Sequence, residues 1–243
     1  MFRTAAMLGI LLILFGCAQV PEEKKDARDP LQVLNRPVYD FNMQVLDAYL
    51  LRPAAVGYAT VTPQPVRSGI VNFIENLQTP IDTVNAVFQG KPSNAGVGLA
   101  RFLINSTVGV FGIFDVASEI GLELVEEDFG QTLGVWGIGD GAYLMLPAMG
   151  PSTARNFTGD VVDNLVIPQV ALSTPQSLIV FAFKALEARA SLIPQEGLLN
   201  ESLDPYIFMK DIYFQRQLFE LYDGNPPLKQ EPDNYDEDFL ENL

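Results

Sequence analysis

Residues Phe129–Arg155 read FGQTLGVWGIGDGAYLMLPAMGPSTAR and hold the chain's only tryptophan, Trp136. Because glycine destabilises a helix interior by about 1 kcal/mol relative to alanine, the glycine density here is not that of an ordinary helix. The apolar side chains between the glycines predict a tightly turned, half-buried segment, which could take the form of a short hairpin about Gly139–Gly141. It separates two sets of helical patterns, and we expect it to fix how they close on each other. Its most closely spaced glycines are Gly134, Gly137, Gly139 and Gly141.

A phosphate-binding loop is the alternative interpretation of these glycines. Such a loop joins a strand to a helix and carries either a Lys-Ser/Thr pair or the spacing G-x-G-x-x-G. Gly137-Ile138-Gly139 continues into Asp140-Gly141-Ala142, without the third glycine of that spacing. The segment is therefore interpreted as scaffold.

The first residues have the pattern of a bacterial lipoprotein leader. Arg3 precedes the apolar run Thr4–Phe15, which is too short to span a bilayer and ends at Gly16-Cys17. Leu14-Phe15-Gly16-Cys17 resembles a lipobox, and Cys17 is the chain's only cysteine. We predict a signal peptide over residues 1–16, an acylated Cys17, and a charged tether over residues 17–28. The alternative is an ordinary secretory signal with an incidental cysteine.

Composition limits the classes of partner. Removing the predicted leader leaves 14 basic and 30 acidic residues, a net charge of −16, which excludes nucleic acid as a plausible partner. The chain is nevertheless 48% hydrophobic and only 19% charged. Beyond Cys17 no apolar run is long enough for a spanning helix. We therefore expect a folded body that also exposes apolar surface.

Proline positions and apolar spacing divide the body into short amphipathic helices. Asp29-Pro30 and Asp204-Pro205 each place a capping residue before a proline suited to the first helical turn. Apolar stripes predict helices over Val38–Leu51, which we expect to end at Arg52-Pro53, and separately over Val66–Gln78 and Pro80–Gln89.

The predicted helical domain covers residues 29–224, and the segments before and after it differ from it in composition. Residues 225–243 carry six acidic residues, one lysine and three prolines, which predicts a disordered acidic tail.

The helix predicted over Asn94–Val108 is apolar around most of its circumference. Its narrow polar stripe includes Arg101 and Asn105. An unpaired buried charge is very costly, so Arg101 needs a partner or water. Two interpretations stay open: a core helix with one satisfied arginine, or a polar path through an apolar body.

Catalysis and metal binding are not expected. The chain contains no histidine, so catalytic triads and histidine metal sites cannot form. Carboxylate pairs such as Asp160 with Asp163, or those within Glu126–Asp128, could in principle serve glycoside chemistry. Such acidic runs are more often solvated surface or helix N-termini. We expect no metal and no cofactor.

Several motifs, in order along the chain, resemble those of the MlaA (VacJ) lipoprotein family. The resemblance extends from about Asp29 to Tyr222. The motifs that carry it are Asp29-Pro30-Leu31, Asn35-Arg36, Tyr39–Asn42, Asp47, Arg52-Pro53, Pro63–Arg67, Asn72-Phe73, Asn76-Leu77, Gln89-Gly90, Arg101-Phe102, Asn105, Phe129–Arg155 and Asp204-Pro205-Tyr206.

The resemblance implies a mainly α, ring-like single domain with a Gly-rich turn or hairpin, lying in the inner leaflet of a Gram-negative outer membrane. It implies removal of misplaced phospholipids from the outer leaflet through a central amphipathic channel, which maintains lipid asymmetry. The implied partners are phospholipids, a trimeric porin and a periplasmic Mla-type lipid-binding protein. A structural, porin-associated lipoprotein that moves no lipid is the alternative.

By motif position, the candidates for lining or shaping the channel are Tyr39, Asn42, Arg101 and Asn105. The candidates for holding or gating its periplasmic side are Trp136 and the neighbouring glycines, for which a structural role is the preferred interpretation.

Overall fold

The computed structural model describes residues 26–165 and 174–227. The predicted signal peptide, Cys17, most of the tether and nearly all of the predicted acidic tail lie outside the described residues.

Within these ranges the chain is mainly α-helical, with one antiparallel hairpin. The helices are α1 (Gln32–Phe41), α2 (Arg52–Val61), α3 (Gln64–Phe88), α4 (Pro92–Thr107), α5 (Val116–Glu119), α6 (Phe129–Val135), α7 (Ala154–Leu165), α8 (Thr174–Leu192), α9 (Glu196–Asn200) and α10 (Pro205–Leu221). A π-helical segment, Asn42–Leu51, joins α1 to α2, and a 3₁₀ turn, Ile193–Gln195, joins α8 to α9. The strands are β1 (Tyr143–Leu146) and β2 (Gly150–Thr153).

Two expected helix breaks are wrong. The chain does not end its helix at Arg52-Pro53, because the π-helical segment before it leads directly into α2. A π-helix bonds i to i−5 and so displaces the carbonyl that a proline would otherwise meet. Pro80 likewise lies inside α3, which is one helix of 25 residues. The packing of α3 along α4 outweighs the roughly 3 kcal/mol that an internal proline costs.

The two Asp-Pro sites behave differently. Asp204 caps α10 as predicted, since its Oδ1 accepts hydrogen bonds from the backbone nitrogens of Tyr206 (3.1 Å) and Ile207 (3.2 Å). The prediction for Asp29 is wrong: α1 begins at Gln32, and the buried Asp29 carboxylate accepts instead from the Asn35 side chain at 2.8 Å.

The Gly-rich stretch does form a hairpin, but its turn is not where the glycines cluster. Tyr143 pairs with Thr153 and Leu146 with Gly150, so the chain reverses at Pro147–Met149 rather than about Gly139–Gly141. Ala148, at φ +61°, supplies the left-handed residue of this turn. The first seven residues of the stretch form α6, capped by Asp128.

The contacts between elements close into a ring. α2 packs on α8, α8 on α3, α3 on α6, and α6 on α10. α10 returns to β2, and its Tyr206 meets Tyr39 of α1 with ring centroids 5.5 Å apart. The expectation of a ring-like helical domain with a Gly-rich hairpin is confirmed, although α3 is longer than predicted.

The ring's tightest packing lies where its ends meet. Tyr39, Tyr143, Met145 and Tyr206 are buried together, and we call this cluster with Asp29 the closed corner. The Asp29 carboxylate also accepts from the Tyr206 hydroxyl (2.5 Å) and from buried Lys210 (3.2 Å). The corner therefore joins α1, the hairpin and α10 through both apolar and ionic contacts.

Large apolar side chains are exposed around the rest of the ring, as the composition predicts. Examples are Tyr49, Val61, Phe111 and Leu178, each at least 65% exposed. In the described part of the chain, none of the helices has the length and hydropathy needed to traverse a bilayer.

Candidate functional site

Tyr39 and Asn42 lie together at the end of α1 that faces the hairpin. Tyr39 is 8% exposed and belongs to the closed corner. Asn42 spans the hairpin turn: its Nδ2 donates to the Leu146 carbonyl, and its Oδ1 accepts from the Ala148 nitrogen, both at 2.9 Å. Both side chains therefore position the hairpin against α1.

Arg101 and Asn105 converge on a second place, the carboxylate of Asp115. Arg101 Nη2 donates to both carboxylate oxygens at 3.0 Å, and Asn105 Nδ2 donates to Oδ1 at 2.9 Å. Although burial opposes ionisation, hydrogen bonds from Ser118, Asn105 and Arg101 lower the pKa of Asp115 to about 2. Arg101 is therefore a buried arginine with an ion-pair partner, although its Nε has no hydrogen-bond partner among the described residues.

The glycines and Trp136 form no common site. Gly137 (φ +88°) and Gly141 (φ +70°) adopt the left-handed conformation, whereas a Cβ on Gly139 would meet no atom within 4 Å. A Cβ on Gly134 would lie 2.8 Å from Leu221 of α10, so this glycine allows α6 to approach the last helix.

Trp136 follows α6 and is 56% exposed. Its indole Nε1 donates to the Phe88 carbonyl at 3.1 Å, which ties the end of α3 to α6, and its ring meets Phe129 edge-on at 5.9 Å. An amphipathic ring with one end hydrogen-bonded and one face exposed is typical of a residue at a membrane boundary or partner surface.

The sequence alone does not identify a further set of polar side chains, which come from α3, α8 and the segment before α6. Glu75, Gln78 and Asp82 share one face of α3 at i, i+3 and i+7. Lys184 of α8 donates to Gln78 Oε1 at 2.8 Å. Two carboxylates from the segment before α6 act electrostatically on these residues: Glu126 on both Glu75 and Asp82, and Asp128 on Asp82. We call this set the polar lane: Glu75, Gln78, Asp82, Glu126, Asp128 and Lys184.

Three carboxyl groups of the polar lane, those of Glu75, Asp82 and Asp128, have raised pKa values. Burial, with the field of Glu126, raises the pKa of Asp82 to about 8. Burial also raises the pKa of Asp128 to about 6, against the hydrogen bond from Gln131. Burial and Glu126 raise the pKa of Glu75, which Lys184 partly offsets. At neutral pH the carboxyl group of Asp82 is therefore mostly protonated and can donate a hydrogen bond.

Asp160 and Asp163, considered above as an acidic pair, flank the lane from α7. Asp163 accepts from Asn85 Nδ2 (3.0 Å) and from the Phe129 nitrogen (2.9 Å), so it holds α7 against α3 and the start of α6. In residues 26–165 and 174–227 no group of histidine, cysteine, aspartate or glutamate side chains is arranged to hold a metal ion.

An apolar cavity of about 1050 Å³ adjoins the lane between α3 and α8. Its walls include Ile70 and Phe73 of α3, Ile179 and Phe183 of α8, and Phe114 from the loop before α5. We call it the α3–α8 cavity. The sequence does not reveal the lane, because the helix break expected at Pro80 divides the polar stripe that joins Glu75 to Asp82. It does not reveal the α3–α8 cavity either.

Fold and site together define a class: a helical ring with an apolar exterior, and with a polar lane beside an apolar cavity. Residues 27–220 match the family described as MlaA lipoprotein. This chain belongs to the MlaA lipoprotein family.

Curated relatives support the assignment along nearly the whole chain. The chain is 38% identical over 232 residues to the intermembrane phospholipid transport system lipoprotein MlaA of Escherichia coli (strain K12), covering 94% of this chain and 92% of that protein. The MlaA of Haemophilus influenzae is 33% identical over 251 residues, with 99% of each chain covered. A solved chain, from work on the structural basis for maintenance of bacterial outer membrane lipid asymmetry, superposes with a TM-score of 0.75. The two chains are 41% identical, and the match covers 79% of this chain and 98% of the solved chain.

Proposed function

We propose that this protein is an outer-membrane lipoprotein that removes mislocalised phospholipids from the outer leaflet through an amphipathic channel and so maintains lipid asymmetry. Family membership supports this, since relatives of this chain carry the name of an intermembrane phospholipid transport system. The observation that carries it is the polar lane beside the apolar α3–α8 cavity, to both of which α3 and α8 contribute side chains.

A phospholipid needs a polar route for its headgroup and an apolar one for its acyl chains. Lys184 and the protonated carboxyl of Asp82 offer a charge and a hydrogen-bond donor to a phosphate oxygen. Tyr39, Asn42, Arg101 and Asn105 then shape the channel by fixing the elements around it, since their side chains are engaged in contacts within the protein.

Anchoring and partners complete the proposal. An acylated Cys17 would hold the ring on the periplasmic side of the outer membrane, each buried methylene contributing about 0.8 kcal/mol of membrane affinity. The exposed apolar surface fits a ring sunk in one lipid leaflet, beside a trimeric porin. Transported lipid would pass to a periplasmic Mla-type lipid-binding protein. Nothing in this role requires catalysis or a cofactor.

The test compares strains by the phospholipid that added phospholipase releases from the outer leaflet of intact cells. We expect a deletion strain to release more than its parent, and the wild-type gene to restore the parental amount. Lys184→Gln should restore it only in part, whereas Arg28→Gln, which removes an exposed cation outside the polar lane, should restore it fully. A deletion strain with normal outer-leaflet composition would refute the proposal. Full restoration by Lys184→Gln would favour a structural, porin-associated role.

A further inference from the structure

We infer that the α3–α8 cavity holds one acyl chain of the phospholipid while the headgroup lies in the polar lane. This inference rests on the proposed function and adds to it a place where the lipid pauses.

The walls of the cavity suit a hydrocarbon chain. They are formed mostly by apolar side chains, and two of the four polar or charged ones already have partners. Asn72 donates to the Ile113 carbonyl at 3.2 Å, and Asp115 is bound by Arg101 and Asn105. A polar ligand would find few free groups here, whereas every buried methylene of an acyl chain adds to the hydrophobic stabilisation.

The cavity and the polar lane are continuous along one helix pair. Ile74 lines the cavity and Gln78 belongs to the lane, about one turn further along the same face of α3, a rise of about 6 Å. On α8, Val180 of the cavity lies about one turn before Lys184 of the lane on the same face. A single amphipathic molecule can therefore contact both, which neither a free fatty chain nor a free phosphate would do.

The mouth of the cavity opens beside a strained apolar loop. Val110 (φ +53°) and Phe111 (φ +58°) adopt the left-handed conformation, which is rare for a β-branched residue and is strained. The loop is held because Asn76 Nδ2 donates to the Phe111 carbonyl at 3.4 Å and packs against Gly112. Phe111 and Phe114 of this loop are exposed, and Phe114 also lines the cavity, so the loop extends the apolar surface of the cavity outwards.

The first test maps contacts of the acyl chain. Purified full-length protein in detergent is illuminated with phosphatidylethanolamine carrying a diazirine in one acyl chain, and adducts are located by mass spectrometry. We expect adducts on residues 65–74 and 179–183 that unlabelled phosphatidylethanolamine suppresses. Leu103 of α4 is as exposed as Ile179, at 56%, but does not line the cavity, and should stay unlabelled. Equal labelling at Leu103, or adducts only on residues 166–173, would overturn the inference.

The second test narrows the mouth. Val66→Trp adds bulk at an exposed lining residue, and Val61→Trp adds the same bulk at an exposed residue of α2 away from the cavity. We expect Val66→Trp to lower suppressible labelling about tenfold, which corresponds to about 1.4 kcal/mol, and Val61→Trp to leave it unchanged. Unchanged labelling in Val66→Trp would overturn the cavity assignment. The proposed function would still stand after such a result if the deletion strain accumulates phospholipid in its outer leaflet.

Discussion

The closed corner and the polar lane lie in one ring but are built in opposite ways. At the corner, Tyr206 meets Tyr39 and Tyr143 edge-on at 5.5 and 6.2 Å, and Asp29 is bound by three side-chain donors. In the lane, the Asp82 carboxyl makes no hydrogen bond or ion pair with any described residue, and burial raises its pKa to about 8. An apolar cavity lies alongside.

The difference indicates a division of labour. Buried polar groups are normally satisfied, and unsatisfied ones lower stability. The corner follows this rule except at the Tyr143 hydroxyl, whereas in the lane the partly buried Asp82 carboxyl has no partner among the described residues, at the place where the proposed function puts the headgroup. Departures of this kind are typical of functional sites. Removing a partnered polar group at the corner should therefore destabilise the protein, and removing the Asp82 carboxyl from the lane should stabilise it.

The largest expected effect is at the corner, with Asp29→Ala. This change removes the acceptor for Asn35, Tyr206 and Lys210, and leaves buried Lys210 with Asp26 alone, at 3.0 Å. Removing one partner of a buried ion pair typically costs about 3–5 kcal/mol. We expect a loss of that size in the free energy of urea unfolding.

The matched control for this prediction is Asp211→Ala. Asp211 pairs with Arg28, but both side chains are more than 40% exposed. An exposed pair contributes roughly 0–1 kcal/mol. If the two variants lost the same stability, the corner would not be the closed, desolvated cluster described above.

The next effect has the opposite sign and depends on pH. The carboxyl of Asp82 has a folded-state pKa of about 8 against 3.8 in the unfolded chain. Between these values the folded state binds the additional proton, so stability falls as pH rises and the loss is complete above about pH 8. Asp82→Asn removes this penalty. We expect no gain near pH 4 and a gain on the order of a few kcal/mol near pH 8.

Thermal or urea unfolding across this pH range checks the prediction. Asp40→Asn is the control, because Asp40 is an exposed carboxylate whose one hydrogen bond within the described ranges is with Gln44, at 3.4 Å. It should keep the wild-type pH profile. An Asp82→Asn profile parallel to that of the wild type would show that this carboxyl does not carry the penalty.

The sequence predicts the isolated polar residues that position the helices and the hairpin better than it predicts the lane. Asn42, Arg101 and Asn105 stand out because an isolated polar residue on an apolar helix face must find a partner, and each does so. The glycines likewise mark the hairpin region, although the turn lies at Pro147–Met149, beyond their cluster. Such signals are local, so they survive without knowledge of the tertiary fold.

The lane depends on long-range packing. Lys184 meets Gln78 across 106 positions of sequence, and Glu126 and Asp128 have the composition of a solvated acidic run. The neighbours of a helix decide which of its faces turns toward the ring interior. In addition, the sequence pattern predicts a helix end before Pro80, whereas α3 continues through it. The raised pKa values arise from burial, which composition does not reveal.

A smaller effect is expected where the hairpin joins the corner, with Asn42→Ala. The change leaves the Leu146 carbonyl and the Ala148 nitrogen without their partner, at a turn whose Ala148 is in the left-handed conformation. Losing such bonds costs about 1–3 kcal/mol. Hydrogen exchange at the amide of Ala148 should accelerate, while Gln44→Ala, on the exposed side of the π-helical segment, should leave exchange and stability unchanged within about 0.5 kcal/mol.

The smallest effect tests the corner from inside. Tyr143 is fully buried, yet its hydroxyl has no hydrogen-bond partner among residues 26–165 and 174–227. Tyr143→Phe therefore removes an unsatisfied polar group and should be neutral or slightly stabilising in urea unfolding. Tyr206→Phe deletes an equivalent hydroxyl that donates to Asp29 at 2.5 Å, and should cost about 1.5–3 kcal/mol. The two rings are neighbours in one cluster, so only the hydrogen bond differs between the variants. Equal losses would mean that the Tyr143 hydroxyl is also satisfied, and that the corner holds water.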